Sequence, residues 1–227
     1  MSNQKKSLIV ALIDRTGSMD KLRSDTEGAF DNFIKEQLAL QTDLDDIVNV
    51  TLIQFDTEPT SMQPDINTVY ENKPLAEVPP LRLIPRGWTP LNDAVGTTIV
   101  RTEESIAKMP ENERPAKIYV LIATDGLENA SKEYTNARVK EMVTHHQSMH
   151  GWQFIFLGVG IDAFAIGRGY GIAQQDAIPV AASGQGVYAG YGQTSSSVSR
   201  SRTASSEGWK NPLKDQAKDN DKEENKQ

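Results

Sequence analysis

Two unbroken apolar runs dominate the pattern of the chain. Residues 8–13 read Leu-Ile-Val-Ala-Leu-Ile, and residues 118–123 read Ile-Tyr-Val-Leu-Ile-Ala. Each is too short to cross a bilayer and has the continuous apolar character of a strand buried on both faces. Each also ends at an acid, Asp14 in the first case and Thr124-Asp125-Gly126 in the second. Around them the period changes. Leu22, Phe30, Phe33, Ile34 and Leu38 are spaced for one face of a helix over 19–40, and Leu91, Val95, Ile99 and Ile106 for a helix over 91–108. Further helices are expected over 134–150, 161–169 and 186–202, the last rich in serine and poor in large apolar residues. Strands are predicted at 47–55, 152–157 and 177–182. Residues 58–62 read as a short edge strand beside Pro59 and Pro64. The stretch 63–87 is proline-punctuated and weakly periodic, and predicts an ordered connecting loop. Strands and helices that alternate in this way predict an α/β fold, a doubly wound sheet sandwiched by helices.

The polar residues that interrupt this pattern carry the candidate chemistry. After Asp14, hydroxyls recur at alternate positions, Thr16 and Ser18, with Gly17 between them. The carboxyl end of a central strand is where open α/β sheets bind their ligands. One carboxylate and two neutral hydroxyls suit a hard divalent cation such as Mg²⁺. The plainer alternative makes Asp14 a helix cap and Thr16 and Ser18 ordinary turn residues. Farther on, Arg86-Gly87-Trp88-Thr89-Pro90-Leu91 places Thr89 at a helix N-cap and Pro90 at the first helical position. Asp56 also ends a strand, either as a turn residue or as an acceptor that orients a metal ligand or a bound water. Glu128 and Asn129 lie just past Asp125, at the rim of the same site.

Asp14-x-Thr16-x-Ser18, Gly87-x-Thr89-Pro90-Leu91 and Thr124-Asp125-Gly126 resemble, in this order, the motifs of the von Willebrand factor type A domain. The resemblance runs over about residues 5–200 and implies a mostly parallel six-stranded sheet with helices on both sides. It implies a metal-ion-dependent adhesion site (MIDAS) whose metal ligands are Asp14, Thr16, Ser18, Thr89 and Asp125. Thr16 stands where the family usually has Ser and keeps the hydroxyl. The implied ion is Mg²⁺, with Mn²⁺ or Ca²⁺ as alternatives, and the implied partner is a protein that offers an Asp or Glu to it. The family also implies that the loop threonine contacts the ion directly in one state and through water in another. Stand-alone bacterial and bacteriophage members make a scaffold or assembly role the alternative function, with the metal as a staple of the loops. A Mg²⁺-dependent phosphoester hydrolase is a third reading. It lacks an obvious nucleophile, general base or paired-metal carboxylate cluster, so a binding module and not an enzyme is expected.

Composition trims these readings. The absence of cysteine from the 227 residues excludes disulfides, thiolate ligands and a cysteine nucleophile. A formal charge of −7 gives no electrostatic reason to expect nucleic-acid binding. The N-terminus has no small-residue cleavage site and leads into a strand-like run, and no stretch is long enough for a membrane span, so a cytoplasmic protein is expected. Residues 1–204 are expected to form the domain and 205–227 a disordered, charged, low-complexity tail, because 211–227 is almost devoid of apolar residues.

Other motifs are weaker. Gly158-Val159-Gly160 resembles a dinucleotide-binding turn, but no acid ends the next strand to hold a ribose, which favours a simple turn. His145, His146 and His150 are read as solvent-exposed helix histidines, since adjacent helix positions diverge by about 100°. Ser195–Ser197 has no His-Asp constellation tied to it by spacing. Trp88 is either a core residue or an exposed anchor for a partner.

Overall fold

The two apolar runs are neighbours at the centre of one sheet. In the computed structural model, which describes residues 6–44 and 46–204, β1 (Lys6–Asp14) and β4 (Lys117–Thr124) pair in parallel from Ser7↔Lys117 to Ile13↔Ala123. With β2 (Ile47–Thr57), β3 (Pro64–Pro74), β5 (Gln153–Val159) and β6 (Ala177–Val180) they form a six-stranded sheet of order β3-β2-β1-β4-β5-β6. Only the β2–β3 pair is antiparallel. The helices are α1 (Arg23–Leu44), α2 (Leu91–Lys108), α3 (Asn136–His150), α4 (Ala163–Gly169) and α5 (Gly184–Thr203). The tail expected at 205–227 lies outside the described residues.

Successive side chains of a strand point to opposite faces, and β1 sorts the core accordingly. Ile9, Ala11 and Ile13 pack in one cluster with Phe30 and Phe33 of α1 and Val187, Tyr191 and Val198 of α5. Leu8, Val10 and Leu12 belong to a second cluster with Leu91, Val95 and Ile99 of α2, Val139 and Val143 of α3, and Ala163 of α4. The chain leaves β1 for β2 on one side and reaches β4 on the other. The strand order therefore reverses between β1 and β4, the position at which open α/β sheets bind ligands.

Two expectations are corrected on the β2 side. Residues 58–62 are a turn: Glu58 N–H donates to Gln63 O at 2.8 Å, and its carboxylate accepts from Ser61 N–H at 2.7 Å. Part of the expected loop 63–87 is the edge strand β3. It escaped the pattern because Val69 faces water while Thr68 is half-buried, which scrambles the apolar alternation.

The serine-rich α5 is held by means other than large apolar side chains. Its small Gly190 lets it lie close to the sheet, where an added Cβ would come 3.1 Å from Leu157. Gln37 Nε2 donates to Ser195 Oγ at 2.9 Å and Ser199 Oγ at 3.1 Å. At the amino ends of the strands Arg202 is 2% exposed and donates to both oxygens of Asp46, at 3.1 and 2.8 Å. It also donates to the carbonyl and side-chain oxygens of Gln37, at 2.9 and 2.8 Å.

Candidate metal centre

Asp14 is the last residue of β1 and is fully buried. Its Oδ1 accepts from the N–H of Thr16 at 2.7 Å and its Oδ2 from the hydroxyl of Thr124 at 2.6 Å. The Thr16 hydroxyl lies 3.1 Å from that of Ser18, and Ser18 Oγ donates to Asp125 Oδ1 at 2.6 Å. A chain of hydrogen bonds thus runs from one acid to the other across the strand-order reversal. Burial pushes the Asp14 carboxyl up to about 7 against the hydrogen bonds from Thr124 and Thr16, with a smaller push from the charge of Asp125. Burial also raises Asp125, opposed by the Ser18 hydrogen bond.

Thr89 arrives on a loop tied down on both sides. Gly87 adopts the left-handed φ of 64° with its α-carbon against Thr57, where a side chain would collide with backbone. Gly17 N–H donates to Gly87 O at 3.3 Å, Arg86 N–H to Arg15 O at 2.9 Å, and Trp88 N–H to Thr57 Oγ1 at 2.9 Å. On the other side Thr89 N–H donates to Asn129 Oδ1 at 2.9 Å, and Asn129 N–H returns to Thr89 O at 3.1 Å. Thr89 Oγ1 faces the backbone that follows Asp125: a Cβ on Gly126 would stand 2.5 Å from it. The structure therefore brings Asp14, Thr16, Ser18 and Asp125 into one network and sets Thr89 beside it.

Thr89 is not the helix cap. α2 starts at Leu91 after Pro90, without a side-chain cap bond. Glu128 takes that part, accepting from Asn92 N–H at 2.7 Å while holding Ser131. Asp93, fully buried, accepts three backbone N–H groups, from Lys132, Glu133 and Tyr134. Reading the sequence missed Asp93 and Thr124. Thr124 was within reach, since it directly follows a run whose last residue, Ala123, lies beside Ile13.

Asp56 is more than a turn residue. It is fully buried and pairs with Arg15 (Nε–Oδ2 3.0 Å) and with Arg86 (Nε–Oδ2 2.6 Å), while Asp65 takes the Nη2 atoms of both arginines. The two arginines carried by the candidate loops thus turn to Asp56 and Asp65. Among the described residues no ion pair reaches Asp14 or Asp125.

Two acids without an ion-pair partner among the described residues, Asp14 buried and Asp125 half-buried, together with three hydroxyls fit a hard divalent cation. Among the described residues no group of three or more His, Cys, Asp or Glu is placed to hold a metal ion; the set assembled here has two acids and would rely on hydroxyl oxygens. His146 departs from the expected exposure. It is buried, accepts or donates at Nδ1 with Met142 O at 2.7 Å, lies 2.8 Å from Glu103 through Nε2, and packs on Trp152 at 4.4 Å. Gly158 and Gly160 form the close turn into α4, where Gly160 N–H donates to Val180 O at 2.8 Å. Trp88 is 53% exposed. Among the described residues no helix is long and apolar enough to cross a membrane.

No family model and no curated protein sequence matches the chain. Solved structures do match its fold. Proximal thread matrix protein 1 (PTMP1) from the mussel byssus superposes with a TM-score of 0.54 at 12% identity, covering 87% of this chain and 46% of its own. A form of it with a zinc-occupied MIDAS motif gives 0.54 at 11% identity over 87% and 46%. The pilus adhesin SpaC from Lactobacillus rhamnosus GG gives 0.59 at 13% identity over 88% and 31%. The chain spans about half the length of PTMP1 and less of SpaC. At these identities the likeness shows a von Willebrand type A-like α/β fold.

Proposed function

We propose that the chain is a metal-dependent protein-interaction module, a von Willebrand type A domain with a doubly wound sheet and a working MIDAS. The observation that carries this reading is the pair of acids at the strand-order reversal, Asp14 buried and Asp125 half-buried, linked through Ser18 and Thr16 and, among the described residues, without an ion-pair partner while Arg15 and Arg86 pair elsewhere. The zinc-occupied MIDAS of PTMP1 and the adhesin role of SpaC support it by fold likeness. Asp14 and Asp125 would hold the ion together with the hydroxyls of Thr16, Ser18 and Thr89, with Mg²⁺ as the first choice of metal. A bound divalent ion would supply a positive centre that accepts a carboxylate oxygen from a protein partner. Thr124 fixes one oxygen of Asp14 and leaves the carboxylate oriented by the protein rather than by the ion. Neutral hydroxyls add oxygen ligands without adding charge, so an ion held this way keeps its pull on an incoming acid.

Calorimetric titration tests the site. Wild type should bind Mg²⁺ or Mn²⁺ and Asp14→Asn should not; equal binding by both would remove Asp14 from the centre. Thr89→Ala tests whether its loop switches. Its anchoring to Thr57, Arg15 and Asn129 favours a plain ligand, so saturating Mg²⁺ should restore partner binding by mass action. A loss that persists at saturating metal would instead mark a missing conformational state. Capture of partners that chelator leaves unaffected would favour the scaffold reading, and Mg²⁺-dependent turnover of p-nitrophenyl phosphate would favour the hydrolase.

A further inference from the structure

Several exposed large apolar side chains stand near the candidate centre. Among the described residues, Met62, Leu127 and Phe164 lie on segments that follow β2, β4 and β5 at the end that holds Asp14 and Asp125, and Trp88 is held there by Thr57, whereas Val69, Met149 and Tyr188 lie on β3, α3 and α5. Two of them flank the candidate centre directly. Trp88 precedes Thr89 and is 53% exposed; Leu127 lies two residues past Asp125 and is 61% exposed. The reciprocal bonds between Thr89 and Asn129 join the two segments that carry them. The backbone of Trp88 is further held by Thr57. An indole and an isobutyl group kept in water on anchored backbone are pre-ordered for contact, so covering them gains hydrophobic free energy at a small entropic cost. Trp is also the residue type most enriched among binding hot spots.

Charge narrows the occupant. Arg15 and Arg86, beside Asp14 and Thr89, are engaged by Asp56 and Asp65, while Lys21 and Lys132, on the segments that carry Ser18 and Asp125, are exposed. The formal charge of −7 on the chain disfavours a polyanion. A protein segment with a single acid meets little of that repulsion, and its apolar neighbours would meet Trp88 and Leu127. We propose that this surface docks a protein segment presenting one Asp or Glu beside a large apolar residue. The acid would go to the ion and the apolar side chain to the Trp88–Leu127 rim. The proposal rests on the reading of the site as a divalent-cation centre.

The test is selection of phage-displayed random dodecapeptides on the immobilised full chain in Mn²⁺, with elution by EDTA. The eluted sequences should be enriched in an Asp or Glu with an aromatic or large aliphatic neighbour. The double variant Trp88→Ser/Leu127→Ser keeps all five proposed ligands and should bind Mn²⁺ within about twofold of wild type. It should bind the selected peptide at least about tenfold more weakly, the scale of a hot-spot loss. Leu127→Ser alone, farther from a ligand, should weaken the peptide in the same direction by less. Eluted sequences with an acid but no apolar preference, or a double variant that binds the peptide as wild type does, overturn the rim while leaving the cation centre standing. Failure of wild type to bind Mn²⁺, or recovery of no EDTA-sensitive sequence, overturns both. Metal-dependent self-association in sedimentation that the double variant abolishes would place a second copy of the chain on the surface, and overturns the peptide assignment.

Discussion

The molecule carries a polar cluster at each end of its sheet, one buried and one buried only in part, and the two are built on opposite principles. At the amino ends of the strands Arg202 meets Asp46 with two donors and Gln37 with a third nitrogen, so the buried charges compensate each other and their hydrogen bonds are made. At the carboxyl ends Asp14 and Asp125 share a network of hydroxyls and, among the described residues, have no ion-pair partner, although Arg15 directly follows Asp14 in the sequence. A buried charge is tolerated when it is paired. The first cluster is complete and serves the fold by pinning α5 to α1 and the start of β2. Among the described residues the second leaves its acids without a countercharge, the feature on which the proposed cation centre rests.

Breaking the complete cluster should have the largest effect. Arg202→Ala leaves Asp46 buried and unpaired and should cost about 3–5 kcal/mol in denaturant unfolding. Replacing both partners, with Arg202→Met and Asp46→Leu, should recover much of that loss. A double variant as unstable as the single would show that the network does more than balance charge.

The incomplete cluster should respond in the opposite sense. Without metal, a carboxyl raised from 3.8 to about 7 is a liability when ionised. Its folded pKa lies above its unfolded value, so its favourable contribution is complete below pH 3.8 and is lost as pH rises through about 7. Asp14→Asn should therefore stabilise the metal-free protein by an amount that grows from about pH 4 to pH 7 and then levels off at no more than about 4 kcal/mol. Thermal melts in EDTA across pH decide this. A destabilised Asn variant at pH 8 would mean that the acid is satisfied without a cation.

A smaller change sharpens the geometry of the same centre. Gly126→Ala would set a methyl group 2.5 Å from Thr89 Oγ1 and displace that hydroxyl. Mn²⁺ affinity should drop about tenfold, or about 1.4 kcal/mol, with the melting temperature of the metal-free protein little changed. Unchanged affinity would take Thr89 out of the ligand set.

The smallest effect belongs to His150, at the end of α3. Burial lowers its pKa, with the charges of His146 and His145 adding to this and Glu103 opposing it. Stability is then intact above the ordinary histidine range and declines as pH falls below about 6.5. His150→Gln should flatten that acid limb by about a few tenths of a kcal/mol, given its partial exposure to solvent. Asp14 and His150 thus predict opposite pH trends, one losing stability as pH rises and the other as pH falls.

The sequence alone determined the α/β pattern, because a strand buried on both faces must be apolar throughout and a helix must repeat its apolar face. It also singled out Asp14, Thr16, Ser18 and Asp125, because polar residues past the ends of such strands stand out against the run; Thr89 entered through the resemblance of Gly87-x-Thr89-Pro90-Leu91 to a family motif. β3 was illegible, since an edge strand half in water need not alternate in polarity, and its exposed Val69 contradicts the rule that would have revealed it. Tertiary structure alone decided the partners. Glu128 caps α2 in place of Thr89, Thr124 reaches across from β4 to Asp14, and Arg15 turns from its neighbouring acid to Asp56 and Asp65. Such pairings join residues tens of positions apart, and linear spacing carries no information about which of two nearby carboxylates a guanidinium will meet. The register of β1 against β4, which sets Ile13 beside Ala123, brings the two acid-bearing strand ends together, and that pairing is likewise absent from the linear pattern.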